Sequence, residues 1–154
     1  PQVRVRRGFS TVLAITAYCT RLSQSDRPRL TSYHFDYDEP PGASSNQRVV
    51  VNVPKGEGMP DGMTIDAEGH IWSARWDGSA LYQYTPEGTV ERRSEFPAKK
   101  VASLTFGGPD YSDIYVTTAL TTSTRAVEGS GAGATYRLRL GIKGVPEYFS
   151  RVRV

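Results

Sequence analysis

From Thr31 onward, short runs of alternating or β-branched residues recur along the chain, each closed by Gly, Pro or Asp. Thr31-Ser32-Tyr33-His34-Phe35-Asp36-Tyr37 alternates and stops at Asp38-Glu39-Pro40-Pro41-Gly42. Gln47 to Val53 is a β-branched run ended by Pro54. The same reading predicts strands from Met63 to Ile65, Ile71 to Arg75, Ala80 to Tyr84 and Val90 to Phe96. It adds Ser103 to Phe106, Ile114 to Thr118, Ala134 to Leu140 and a last one from Glu147 to Val152. No stretch carries the 3.6-residue period of an amphipathic helix. Strands at this spacing, punctuated by turn residues, predict an all-β sandwich, barrel or propeller.

An internal repeat selects among these. Met63-Thr64-Ile65 returns 41 residues later as Leu104-Thr105-Phe106, and Ile71-Trp72 returns 43 residues later as Ile114-Tyr115. Tyr33, Tyr82 and Tyr136 occupy like places in Thr-Ser-Tyr-His-Phe, Ala-Leu-Tyr-Gln-Tyr and Ala-Thr-Tyr-Arg-Leu. A drifting repeat of roughly 40 to 50 residues with about four strands per unit is the signature of propeller blades. The chain therefore holds about three blades. Since a propeller closes its ring to protect its edges, three blades alone are expected to leave two open faces of apolar strand. Such a fragment is expected to be a monomer or to self-associate weakly through those open blade edges.

Composition narrows the function classes. The chain has 154 residues, 38% hydrophobic, with 15 Gly, 10 Pro and nine Tyr, as in a turn-rich folded β protein. Its net charge of +3 is small, and the basic residues are scattered apart from Arg4, Arg6 and Arg7, so no nucleic-acid partner is expected. Cys19 is alone, which excludes a disulfide framework and a Cys-based zinc site. No apolar stretch approaches the ~20 residues that span a bilayer, and no leader is visible, so a cytoplasmic, membrane-free location is expected. The chain begins at Pro1 rather than Met, and its natural start is expected upstream.

The chemistry concentrates at Pro60-Asp61-Gly62, just ahead of the apolar Met63-Thr64-Ile65. Pro and Gly there predict a tight turn, with Pro60 presetting φ and Gly62 adopting a conformation closed to other residues. Asp61 would then be held at a strand mouth. A carboxylate so fixed suits a hard divalent cation; equally, it suits a plain turn whose Asp bonds its own backbone.

The segment Pro60-Asp61-Gly62-Met63-Thr64-Ile65-Asp66-Ala67-Glu68-Gly69 closely resembles the hallmark of the SMP-30/gluconolactonase/LRE family. The resemblance continues through Ile71-Trp72-Ser73-Ala74-Arg75-Trp76-Asp77-Gly78, Tyr84-Thr85-Pro86-Glu87-Gly88 and Leu104-Thr105-Phe106-Gly107-Gly108. It runs on through Ile114-Tyr115-Val116-Thr117-Thr118-Ala119 and Leu140-Gly141-Ile142-Lys143-Gly144-Val145-Pro146-Glu147. It implies the C-terminal half, about three blades, of a six-bladed β-propeller. By the same resemblance, Asp61 is both a metal ligand and the general base of a divalent-metal-dependent lactonase. The ion would be Ca²⁺, Zn²⁺, Mn²⁺ or Mg²⁺, and the substrate a small-molecule lactone. Polarising the lactone carbonyl and orienting or acidifying a bound water are the roles such an ion serves.

The family site also needs a Glu and two Asn. The Glu and one Asn would lie upstream of Pro1, and Arg7 falls on the other Asn position, where a guanidinium cannot bind a cation. As written, the chain is expected to have lost the ion and to be inactive. The alternative is a non-catalytic truncated propeller that serves as a binding module. Two segments are therefore expected: a divergent or frameshifted one over 1–30 and family-like blades over 31–154. Read in a shifted frame, the codons of Ala14 to Cys19 can spell Asp-Asn-Arg-Ile-Leu-Tyr, close to a family string missing there. The rival reading makes Val12-Leu13-Ala14-Ile15 a real buried strand or short helix.

Other polar residues read as structural. His34 and His70 lack metal-ligand spacing, while Asp66 and Glu68 are expected to shape their turn. One of Trp72 and Trp76 should be core and the other blade packing. Ser10, Ser103 and Ser112 lack a nucleophile-elbow context. Gly129-Ser130-Gly131-Ala132-Gly133 lacks the Lys and following helix of a phosphate loop, and is expected to be flexible.

Overall fold

The computed structural model describes residues 13–15, 21–26, 29–38, 43–121 and 123–146. Three antiparallel meanders account for them. The first contains β1 (Leu13–Ile15), β2 (Arg21–Asp26), β3 (Thr31–Asp38) and β4 (Ala43–Asn52), in sequence order across the sheet. The second contains β5 (Met59–Ile65), β6 (Ile71–Trp76), β7 (Ala80–Tyr84) and β8 (Val90–Glu95). The third contains β9 (Lys100–Gly107), β10 (Asp113–Ala119) and β11 (Thr135–Arg139). A four-residue helix, α1 (Arg125–Glu128), interrupts the β10–β11 connection. It is too short to carry a periodic signal, which is why the sequence does not announce it.

The inner strands face one another: β5 touches β9 on one side and β1 and β2 on the other. Sheets that meet through their opening strands are blades set about a common axis, so the three-blade expectation holds. β1 and β2 come from the segment before residue 31, and they pair into the same sheet as β3 and β4. Within that segment Leu13–Ile15 is a strand. The predicted strand from Glu147 to Val152 lies outside the described residues.

The middle blade is buried on both faces. One face packs Met63, Ile71, Ala80, Tyr82 and Tyr84 against Val51 and Val53 of the first blade. The other packs Trp72, Ala74 and Leu81 against Leu104, Phe106, Ile114 and Val116 of the third. Trp72 meets Phe106 edge-on at 5.9 Å, and Trp76 lies under the Lys100 ammonium, so the two tryptophans divide between core and blade packing. This double burial explains why β6 and β7 show no clean polar face.

The expectation of apolar open faces fails at the third blade. Its far side carries Thr105, Tyr115, Thr117, Thr135, Arg137 and Arg139, cross-strand neighbours that are exposed or half-buried. Leu104, Phe106, Ile114, Val116, Tyr136 and Leu138 all turn the other way, onto the middle blade. The strict alternation of this blade spends its apolar residues on one neighbour. Among the described residues no helix is long and apolar enough to cross a membrane.

Candidate functional site

Asp61 sits in the third position of β5, 7% exposed. The tight turn predicted at Pro60-Asp61-Gly62 is not there. All three residues lie within the strand, with Pro60 paired to Arg75 and Met63 to Ser73. Two residues, Asp61 and Gly62, thus span the step that Ala74 alone fills on β6. This is a β-bulge, which bends a strand and re-aims a side chain.

Gly62 does not supply left-handed backbone; it is absent from the residues with positive φ. Its role is steric. A Cβ on Gly62 would stand 2.6 Å from Ser103 Cα and closer still to Ser103 Oγ. The missing side chain lets β9 of the next blade approach β5 beside Asp61. The strand β9 is bulged at the same level, since Thr117 pairs with Ser103 but Thr118 pairs with Val101, leaving Ala102 as the extra residue.

Several loops gather at this end of the blades. The β6–β7 turn uses left-handed backbone at Asp77 (φ 60°) and Ser79 (φ 53°). Lys100, which opens β9, reaches Asp77 Oδ1 at 3.0 Å and Glu128 Oε1 at 3.4 Å. The hydrogen bond to Asp77 foremost raises the Lys100 ammonium pKa above its ordinary value. Burial pushes the Glu128 carboxyl up, but bonds from Thr121 and Lys100 outweigh it and hold the group below the usual range. The glycine-rich 129–133 segment is not a free loop. Gly131 N donates to Pro97 O at 2.7 Å, Gly131 O accepts from Thr118 Oγ1 at 3.1 Å, and Ala132 is fully buried.

The opposite end is organised by Asp66, 1% exposed. Its Oδ1 accepts from the backbone N–H of Glu68 (3.0 Å) and of His70 (2.9 Å). Its Oδ2 accepts from Trp72 Nε1 (2.9 Å) and Gln83 Nε2 (3.2 Å). Asp66 shapes its turn, as expected; Glu68 is exposed, joins through its N–H and brings its carboxylate to 3.7 Å from His70 Nδ1. His70 contacts Asp66 with Nδ1 at 3.1 Å and Glu91 with Nε2 at 3.2 Å. His34 is buried on β3, in a different blade.

Sequence reasoning missed Arg75. It is fully buried, donates to Ser73 Oγ (2.6 Å) and to Tyr84 Oη, and stacks 4.8 Å from the Tyr82 ring centroid. Burial lowers the pKa of its guanidinium from the ordinary value. A buried arginine in an alternating strand looks in sequence like any exposed one, so no local signal marks it.

The described residues do not make a metal site on their own. Among the described residues no group of three or more His, Cys, Asp or Glu is placed to hold an ion. Ca²⁺ takes six to eight oxygens, and Asp61 supplies two at most. Arg7, on an expected ligand position, lies outside the described residues.

Comparisons with known proteins agree with the propeller-blade fold. Residues 9–120 match the family described as SMP-30/Gluconolactonase/LRE-like region. The match thus begins inside the N-terminal segment that the sequence sets apart. Pentonolactonase XacC of Haloferax volcanii is 43% identical over 153 residues, covering 96% of this chain and 53% of that protein. Regucalcin of Danio rerio is 40% identical over 118 residues, covering 74% of this chain and 40% of that protein. Among solved structures, a calcium-binding regucalcin from Agrobacterium tumefaciens superposes with a TM-score of 0.81 at 28% identity. That overlap covers 92% of this chain and 49% of the other. A luciferin-regenerating enzyme superposes at 0.75 with 29% identity, covering 86% and 46%. The chain spans about half the length of the curated relatives it matches.

Proposed function

This chain belongs to the SMP-30/gluconolactonase/LRE-like family, and on that premise we propose that it is the C-terminal half of a divalent-metal-dependent lactonase. The observation that supports this reading most is the placement of Asp61. Its carboxylate is nearly buried, lies on the opening strand of the middle blade, and is re-aimed by a bulge beside the next blade's opening strand.

In lactone hydrolysis, water adds to the carbonyl carbon and the ring C–O bond breaks. Asp61 is proposed to take the proton lost by that water and to return it to the leaving ring oxygen. Burial among packed blades keeps bulk water from competing for the carboxylate. The described residues do not complete a site for the ion; Asp61 would supply one of its ligands, and the ion when bound would polarise the lactone carbonyl.

A second reading, a non-catalytic propeller piece that acts as a binding module, draws on the same incomplete donor set. One assay separates them. The 154-residue chain and the complete protein are each assayed against glucono-1,5-lactone with Ca²⁺, Zn²⁺, Mn²⁺ or Mg²⁺. The lactonase reading expects hydrolysis by the complete protein only, lost on Asp61→Asn. Equal inactivity of both chains with every ion favours the binding module.

A further inference from the structure

The inner wall beside Asp61 carries one hydroxyl to which no role has yet been given. Ser103 is exposed on β9, and among the described residues its Oγ has no hydrogen-bond partner, whereas its carbonyl accepts from Thr117 Oγ1. The Oγ points at Gly62, the residue that follows Asp61. Both inner strands are bulged at this level, β5 at Asp61-Gly62 and β9 at Ala102. Side-by-side bulges are costly to the ladder of either strand and recur where side chains are aimed at a site. Here they bring an exposed hydroxyl of one blade, with no protein partner among the described residues, against Gly62, the neighbour of Asp61, in another.

We propose that Ser103 Oγ is a substrate-contacting hydroxyl of the Asp61 site, binding an oxygen substituent of a polyhydroxylated lactone. The proposal rests on the lactonase reading of Asp61 and extends it. Ser103 does not act as a nucleophile. The two histidines that could serve as its base lie elsewhere, His34 on β3 and His70 at the far end of β6. A serine hydroxyl both donates and accepts, so it can meet a sugar-type hydroxyl in either sense. An unsubstituted lactone offers it no such partner.

The test uses the complete protein with its metal and two substrates of equal ring size, glucono-1,5-lactone and δ-valerolactone. Ser103→Ala is expected to raise KM for gluconolactone about three- to tenfold, the worth of one hydrogen bond, with kcat within about twofold. KM for valerolactone should stay unchanged. The melting temperature should stay unchanged too, because the hydroxyl holds nothing within the protein. An equal rise for both lactones, or no rise for either, overturns the proposal. Asp61→Asn in the same assay keeps the two readings apart. If that variant still hydrolyses gluconolactone, the Asp61 reading falls and Ser103 with it. If it is inactive while Ser103→Ala leaves both KM values alone, only the Ser103 proposal falls.

Discussion

Gly62 and Ser103 meet across a blade boundary with no room for a methyl group between them: a Cβ on Gly62 would lie 2.6 Å from Ser103 Cα. Because the obstruction includes backbone, it cannot be relieved by rotating the serine. Gly62→Ala should therefore destabilise the chain by about 1–3 kcal/mol, the usual range for overpacking. Adding Ser103→Gly should recover little of it, since the Cα remains. Urea denaturation of the wild type and the two variants checks this; full recovery in the double variant would mean that the side chain alone sets the contact.

Asp66 is the acceptor for two backbone and two side-chain donors. Asp66→Ala leaves the buried Trp72 and Gln83 donors without their partner, and should cost about 2–4 kcal/mol. Asp66→Asn keeps one acceptor oxygen and should cost less. Thermal melts of the two variants, with intrinsic fluorescence reporting on Trp72, test the order.

Arg75 makes the opposite prediction from what full burial suggests. No carboxylate lies within ion-pair distance of it among the described residues; its partners are Ser73, Tyr84, the Ala74 carbonyl at 3.5 Å and two aromatic faces. Burying a charge that has no ion-pair partner is costly, and an apolar residue of similar length removes that cost. Arg75→Met should thus leave stability unchanged or raise it. Tyr84→Phe, which strips an acceptor from the retained guanidinium, should cost about 1–3 kcal/mol. A large loss for Arg75→Met in chemical denaturation would show that the guanidinium has a further, stabilising partner.

Glu128 gives an acid dependence with a definite sign. Its folded carboxyl is held below the ordinary value of 4.5, with burial opposing and the Thr121 and Lys100 bonds prevailing. A depressed carboxyl contributes stability that is fully present above the unfolded-state value and is lost as pH falls through the folded one. Wild type should therefore lose stability below about pH 4.5 more steeply than Glu128→Gln. The two melting curves should converge toward low pH.

The strand set was legible because turn residues and a period of two mark it, and the repeat of Met63-Thr64-Ile65 at Leu104-Thr105-Phe106 marks the blades. Local chemistry misled at Pro60-Asp61-Gly62, which reads as a turn in isolation. Pairing with β6 and the approach of Ser103 draw it into a strand instead. Asp61 was singled out by its neighbours in sequence, but its bulge depends on partners ten or more residues away. The glycine-rich 129–133 segment looked mobile for the same reason: its anchors, Pro97 and Thr118, are remote in sequence. Arg75 and Ser103 had no local signature. Their roles follow from which blade lies across from them.

Among the described residues, the middle blade is the one with a packed neighbour on each side. Asp61 belongs to that blade, so its carboxylate is set in place by contacts the chain already contains. On the proposed reading of Asp61 as a metal ligand, an upstream half of the ring would arrive at a preorganised anchor. It would have to bring ligands, but it would not have to build the scaffold that aims the first one. For an experimenter this makes the half-chain a receptor for complementation: a separately produced upstream half need supply only its own donors to a position that is waiting at fixed geometry.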